Sequence, residues 1–235
     1  MKRFFITLMA LTCLVSAHAF SFWGDDVDNG QDDNNGQRVL VIGDSTLDGV
    51  ARRFADYARE NGYSFYSSVW YGATVYDWAY TTELPNLIKK VQPTFVVISL
   101  GTNDLGYYDI SKRAKAVQEI VREVGDVPFV WIGPISLKSI KGENAVPGMI
   151  RDNVGGNRFY DSYHRDMARF PDGIHPTFEA SAVWVDDVVQ WMSGNASLFP
   201  IVLKTPKAKA RSFRHNEQHS VKYKGVKKAS AVASR

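Results

Sequence analysis

Ser45 occupies the position in this chain best suited to nucleophilic chemistry. Val39-Leu40-Val41-Ile42 is a short apolar run rich in β-branched residues, and it enters Gly43-Asp44-Ser45 directly. Beyond the turn, Leu47, Val50, Ala51, Phe54, Tyr57 and Ala58 recur at the spacing of an amphipathic helix. A serine at such a strand-to-helix joint sits beside unpaired backbone N–H groups at the positive end of a helix dipole. That setting suits a nucleophile whose reaction develops an oxyanion. Asp44 and Ser45 are equally good helix-capping residues, so the turn alone does not make a site.

The elements around the turn supply the rest. The pattern predicts strands over Val39–Ile42, Phe65–Trp70, Thr94–Leu100 and Pro128–Ile132, with a fifth over Arg158–Asp161. Helices are expected over Leu47–Asn61, stopped by Gly62, over a short stretch at Val75–Trp78, and over Leu84–Val91. Ser111 is the expected cap of a helix reaching Val124, and a final helix runs from Thr177 to about Met192. Residues 139–156 are rich in Gly, Asn and Pro and read as mostly loop, with room for one short helix. Strands alternating with helices predict an α/β fold, a three-layer α/β/α sandwich on a mostly parallel five-stranded sheet. In such a sheet Ser45, Gly72 and Gly101-Thr102-Asn103-Asp104 all fall at strand ends on one edge, where open α/β sheets bind ligands. Asp172-Gly173-Ile174-His175-Pro176, just ahead of the last helix, reaches the same edge if that helix packs back on the sheet.

Gly43-Asp44-Ser45, Gly72, Gly101-Thr102-Asn103-Asp104 and Asp172-Gly-Ile-His175-Pro, in this order, resemble the motifs of the SGNH (GDSL-like) hydrolase family across Val39 to about Trp191. Thr46 departs from the leucine that many members carry, without touching the nucleophile. The resemblance implies an SGNH/flavodoxin-like fold and a serine esterase. In it Ser45 attacks an ester carbonyl, His175 acts as general base and then acid, and Asp172 holds the imidazole. The oxyanion hole it implies consists of the Ser45 and Gly72 backbone N–H groups and the Asn103 side-chain amide. Asp44 and Asp104 read as residues that shape their turns. The remaining histidines lack a comparable setting: His18, His164 in a Tyr/Arg/Asp-rich loop, and His215 and His219 near the C-terminus.

Composition bounds the chemistry further. Lys2 and Arg3, the apolar run Phe4–Val15 and Ser16-Ala17-His18-Ala19 have the form of a secretory signal peptide over residues 1–19. Cleavage near Ala19 would export the chain, leave no transmembrane span and remove Cys13, the single cysteine. Thiol catalysis, disulfides and Cys-ligated zinc are thereby excluded, and no cofactor or metal is expected. Residues 20–37 form an acidic Asp/Asn/Gly-rich linker, 38–203 the folded domain, and 204–235 a basic tail expected to be disordered. The net charge of +3 therefore describes the tail more than the domain. The tail suits loose electrostatic contact with an anionic surface, and export disfavours a specific nucleic-acid partner. Aromatic loop residues Trp70, Tyr71, Tyr76, Trp78, Tyr80, Tyr107 and Tyr108 suit stacking on sugars better than an apolar acyl channel. The expected substrate is a small acyl ester, O-acetyl on a polysaccharide or envelope glycan. The competing readings are an O-acyltransferase acting on a glycan, a lipase or lysophospholipase, and a non-catalytic polysaccharide-binding module.

Overall fold

Alternation along the first strand divides the core in two. Val39 and Val41 of β1 (Arg38–Gly43) face one buried cluster, and Leu40 and Ile42 face another, because successive strand side chains point to opposite faces. The computed structural model describes residues 36–209 and 212–220 of the chain. The expected signal peptide, most of the acidic linker and residues 221–235 lie outside the described residues.

The chain continues through α1 (Leu47–Asn61), β2 (Ser64–Tyr71), α2 (Val75–Ala79), α3 (Glu83–Val91) and β3 (Phe95–Ser99). It then forms α4 (Ile110–Val124), β4 (Phe129–Ile132), α5 (Ala145–Val154), β5 (Phe159–Tyr160), α6 (Phe178–Ser193) and β6 (Glu217–Ser220). The sheet order is β5-β4-β3-β1-β2-β6, with every neighbouring pair parallel. Helices α1 and α6 cover the Val39/Val41 face, and their apolar side chains, Leu47, Val50, Phe54, Trp184, Val185 and Val188 among them, are buried there. The other face packs against α2, α3, α4 and α5 through residues such as Trp78, Leu84, Leu87, Val117, Ile120 and Ile150. The expected α/β/α sandwich is present.

Three expectations need correction. The described sheet has six strands, not five. The sixth comes from the segment expected to be a disordered tail: Glu217–Ser220 pairs in register with Ser68–Tyr71 of β2. Local composition hid it, because the strand is held by contacts with the distant β2 and α3. Tyr66 and Lys90 both donate to Glu217, at 2.7 and 2.9 Å, and the Trp70 indole donates to the Ser220 carbonyl at 3.0 Å. Burial pushes the Glu217 carboxyl up, but the bonds from Lys90 and Tyr66 outweigh it and hold the group below its ordinary range. Second, the short helix allowed within residues 139–156 takes up more of that stretch than expected: residues 145–154 form α5. Asn144 caps it through Val146 N–H at 2.9 Å, and Pro147 falls in the first turn, where a missing N–H costs no helical bond. Third, α4 is capped by Asp109, which accepts from Lys112 N–H at 3.1 Å, so Ser111 lies inside the helix.

Helix α1, which follows the Ser45 turn, and α6, which follows His175, are locked together. Arg53 is buried and donates to both carboxylate oxygens of Asp186 at 2.9 and 3.0 Å, while the Tyr57 hydroxyl donates to Oδ1 at 2.9 Å. At Gly49 the two helices touch so closely that an added Cβ would lie 2.1 Å from Ser181 Oγ and 2.4 Å from its Cβ. Gly49→Ala is therefore expected to destabilise the fold by about 1–2 kcal/mol. The overpacking of about 1–3 kcal/mol exceeds the helix propensity gained. Urea denaturation measures it, and a stabilised variant would contradict this packing.

Candidate active site

Strand β1 lies between β2 and β3, so the loops after these three strands meet at one edge, and the chain changes direction across the β1/β3 boundary. The turn after β1 is held by Asp44. Its buried carboxylate accepts from the Thr46 N–H at 2.9 Å, the Thr46 hydroxyl at 2.8 Å and the Thr102 N–H at 3.2 Å. Burial raises its pKa and these bonds pull it back only in part. Gly43 leaves no room for a side chain, since a Cβ would stand 2.1 Å from the Ser99 carbonyl oxygen. Asp44 thus ties the β1 turn to the β3 turn, and among the described residues its side-chain hydrogen bonds go to Thr46 and Thr102, in keeping with a shaping role. Among the described residues the Ser45 backbone N–H donates to no protein acceptor.

Strand β2 ends at Tyr71, and Gly72 follows with φ 78°, a left-handed conformation that glycine adopts without steric cost. After β3, Thr102–Asp104 form one 3₁₀ turn, and Asn103 Nδ2 donates to the Ala73 carbonyl at 3.0 Å. That bond fixes Asn103 against the chain next to Gly72 and leaves the second amide hydrogen available. Asp104 is buried, accepts from Val75 N–H at 2.9 Å and pairs with Arg113 Nε at 3.2 Å. Burial pushes its carboxyl up to about 7 against both of these contacts. Its partners are the starts of α2 and α4, which makes it a fastening for the loops.

The fourth segment reaches this edge from ahead of α6. His175 Nε2 lies 2.8 Å from Ser45 Oγ, across 130 residues of sequence, and Nδ1 lies 2.7 Å from Asp172 Oδ2. A carboxylate can only accept, so Nδ1 carries the proton and Nε2 is left to accept from the Ser45 hydroxyl. The second oxygen of Asp172 accepts from the Ile174 and His175 N–H groups at 2.8 and 3.0 Å, closing the turn on itself. The His175 hydrogen bond, followed by these two backbone bonds, holds the Asp172 carboxyl down at about 2. Arg169 braces the same loop by donating to the Ile174 and Ser136 carbonyls at 2.5 and 2.8 Å.

Taken together, a parallel sheet with Ser45, Gly72 and Asn103 at its edge and an Asp172–His175 pair closing on Ser45 is a specific arrangement. In its fold the chain is similar to the crystal structure of TesA, with a TM-score of 0.50 at 20% identity, over 67% of this chain and 99% of that one. The chain has the SGNH hydrolase fold. A GDSL-like lipase from Parabacteroides merdae is also similar, with a TM-score of 0.48 at 14% identity over 67% of this chain and 94% of its own. An acetyl xylan esterase gives 0.42 at 14% identity, over 66% and 98%. No family sequence model and no curated protein matches the chain.

Within this SGNH fold two clefts border the site. One, of about 250 Å³, holds Ser45, Asp48, Tyr71, Phe170, His175 and Phe178. The other, of about 560 Å³, adjoins Gly72 and Ala73 and is lined by Tyr76, Asp77, Tyr107, Lys112 and Arg113. Arg113 lies under the Tyr107 ring at 4.0 Å, so its walls mix aromatic and charged groups. Of the aromatics expected near the site, Trp70 and Trp78 are core residues packed edge to face at 5.8 Å, while Tyr76, Tyr107 and Tyr108 are exposed.

His215 had no signal in sequence, yet it is buried beside this site. Its Nε2 lies 3.0 Å from Asp48 Oδ1 and its Nδ1 3.2 Å from Ser67 Oγ. No spacing rule could have found it, because its partners are on α1 and β2. His219 packs on Trp70 at 5.9 Å and lies 3.4 Å from Glu83 and 3.7 Å from Glu217. Glu83, Glu217 and His219 form a compact group, but Lys90 already neutralises Glu217 there, so the group works as a fastening for β6. Among the described residues no helix is long and apolar enough to cross a membrane.

Proposed function

We propose that this protein is an exported serine esterase that hydrolyses small acyl esters, O-acetyl groups on a glycan foremost, through an acyl-enzyme on Ser45. The observation that carries the reading is the unbroken contact from Asp172 through His175 to Ser45, at 2.7 and 2.8 Å. Ser45 Oγ attacks the carbonyl carbon while its proton passes to His175 Nε2. The imidazolium is stabilised by Asp172 and gives that proton to the departing alcohol oxygen as the C–O bond breaks. Water, deprotonated by the same nitrogen, then attacks the acyl carbon and releases the carboxylic acid and free Ser45. The carbonyl oxygen becomes negative in both steps. It is received by the Ser45 N–H, the Gly72 N–H and the free hydrogen of the Asn103 amide.

Asn103→Ala is accordingly expected to lower kcat about 10²–10³-fold with a smaller change in KM. Stopped-assay kinetics on p-nitrophenyl acetate measure it, and an unchanged kcat removes Asn103 from the oxyanion hole.

The choice of a small acyl group rests on the clefts. Charged side chains line the larger cleft, and neither cleft forms the continuous apolar channel that a long acyl chain needs. Export rests on the leader at residues 1–19. The test is a panel of acetyl, butyryl and longer acyl esters with acetylated glycans, using Ser45→Ala as the blank. Acetate release by the intact chain alone supports the reading. Turnover retained in Ser45→Ala refutes it.

A further inference from the structure

The cleft that holds Ser45 and His175 contains another charged side chain with no part in the reaction described above. Asp48, the second residue of α1, lines it with its side chain 43% exposed. Its Oδ1 accepts two hydrogen bonds, from the Tyr71 hydroxyl at 3.0 Å and from His215 Nε2 at 3.0 Å. Its Oδ2 has no hydrogen-bond partner among the described residues. The support behind it is substantial. The His215 side chain is only 4% exposed, its Nδ1 meets Ser67 Oγ at 3.2 Å, and Phe213 packs edge to face on its ring at 4.9 Å. The neighbouring Asn216 side chain accepts from Ser67 N–H at 2.9 Å, and β6 follows at once. Tyr71 is equally committed as a donor, because burial and the Asp48 charge push its hydroxyl up to about 12. A carboxylate locked from behind through one oxygen, with the other free in a half-open cleft, is a preorganised hydrogen-bond acceptor.

Its position assigns it to one half of the substrate. His175 Nε2 must deliver a proton to the leaving oxygen, so the alcohol half occupies the cleft on the His175 side. The residues lining that cleft include two carboxylates, Asp48 and Asp172, and neither lysine nor arginine. Arg52 stacks over the Phe178 ring at 4.7 Å without itself lining the cleft, so the charged groups of the lining that the reaction leaves fixed are the two carboxylates, and a neutral polyol finds an acceptor at Asp48 and an apolar ring at Phe170. We propose that Asp48 is a specificity-determining residue. Its free oxygen accepts a hydrogen bond from a hydroxyl neighbouring the ester on the alcohol half, selecting sugars or similar polyols. His215, from the C-terminal segment, is the residue that positions it.

This inference rests on the esterase reading and is tested with the full chain on two acetates of similar size, 2,3-dihydroxypropyl acetate and propyl acetate. p-Nitrophenyl acetate serves as the check on hydrolysis itself. The intact protein is expected to favour the dihydroxy ester at least tenfold in kcat/KM. In Asp48→Asn the amide oxygen faces Tyr71 and His215, which turns a donor toward the cleft. That ratio is then expected to fall about tenfold, through the KM of the dihydroxy ester. His215→Ala should move the ratio in the same direction, and His215→Gln, which can still donate to Asp48, should restore it. No preference in the intact protein overturns the proposal, as does a ratio unchanged in Asp48→Asn. Both results are read with p-nitrophenyl acetate still hydrolysed, and loss of that activity in the intact protein instead refutes the esterase reading on which the proposal stands.

Discussion

Ser45→Ala is expected to lower kcat on p-nitrophenyl acetate by about 10⁴–10⁶-fold, the range seen when the nucleophile of a Ser-His-Asp site is removed. The fold should tolerate the change well. The Ser45 side chain has one hydrogen-bonding partner among the described residues, His175, while the turn itself is held by Asp44 through Thr46 and Thr102. Circular dichroism and the urea midpoint should therefore stay close to those of the intact protein while turnover disappears. The variant should also fail to release a burst of p-nitrophenol, since no acyl-enzyme can form. A burst that survives would place the acyl group on another residue and overturn the assignment of Ser45.

Asp172→Asn is expected to cost about 10³–10⁴-fold in kcat with KM little changed. The reason is a conflict of hydrogen-bond types. In the native turn Oδ1 accepts from the Ile174 and His175 N–H groups while Oδ2 accepts from His175 Nδ1–H. Asparagine has a single acceptor oxygen. If that oxygen keeps the two backbone N–H groups, the amide donates to Nδ1 and drives the ring proton to Nε2, which can then no longer accept from Ser45. If the amide rotates, two backbone donors face its NH₂ group and the turn loosens. Either outcome removes the base. Asp172 itself stays ionised down to about pH 2, since hydrogen bonding lowers its pKa from 3.8. Its own stabilising contribution is present above about pH 4 and lost as pH falls toward 2. Loss of activity between pH 4 and 7 in the intact protein should thus arise without protonation of Asp172. A kcat in Asp172→Asn within a few-fold of the intact protein would show that His175 needs no orienting partner.

Much of this site could be read before the fold was known, and the reason is local. Gly43-Asp44-Ser45, Gly72, Asn103 and the Asp172-x-x-His175 turn each carry their signal within a few residues. Strand ends and helix starts are marked by the same apolar periodicities that place the elements. The Asp172–His175 contact is itself an i,i+3 contact within one loop. Errors gathered where a segment's state is decided by something distant. Glu217-Gln218-His219-Ser220 has no strand signature of its own and becomes β6 through pairing with β2, with Lys90 and Tyr66 on Glu217. Helix α5 was obscured by Pro147 and Gly148, which are tolerated because Asn144 caps the helix and Val146, Met149 and Ile150 are buried against the sheet.

By itself the sequence determined the α/β architecture, the candidate site residues and their order along the chain, because each depends on side-chain type and short-range periodicity. Only the tertiary structure decided that Ser45 Oγ and His175 Nε2 stand 2.8 Å apart across 130 residues. It also decided that Asn103 braces against Ala73, and that His215 returns from the C-terminal segment to hold Asp48 at the cleft. Those contacts exist because the parallel sheet brings the ends of β1, β2 and β3 to one edge and the α1–α6 packing carries the last loop to meet them. No local pattern along the chain encodes such distances, since they follow from which surfaces are buried together.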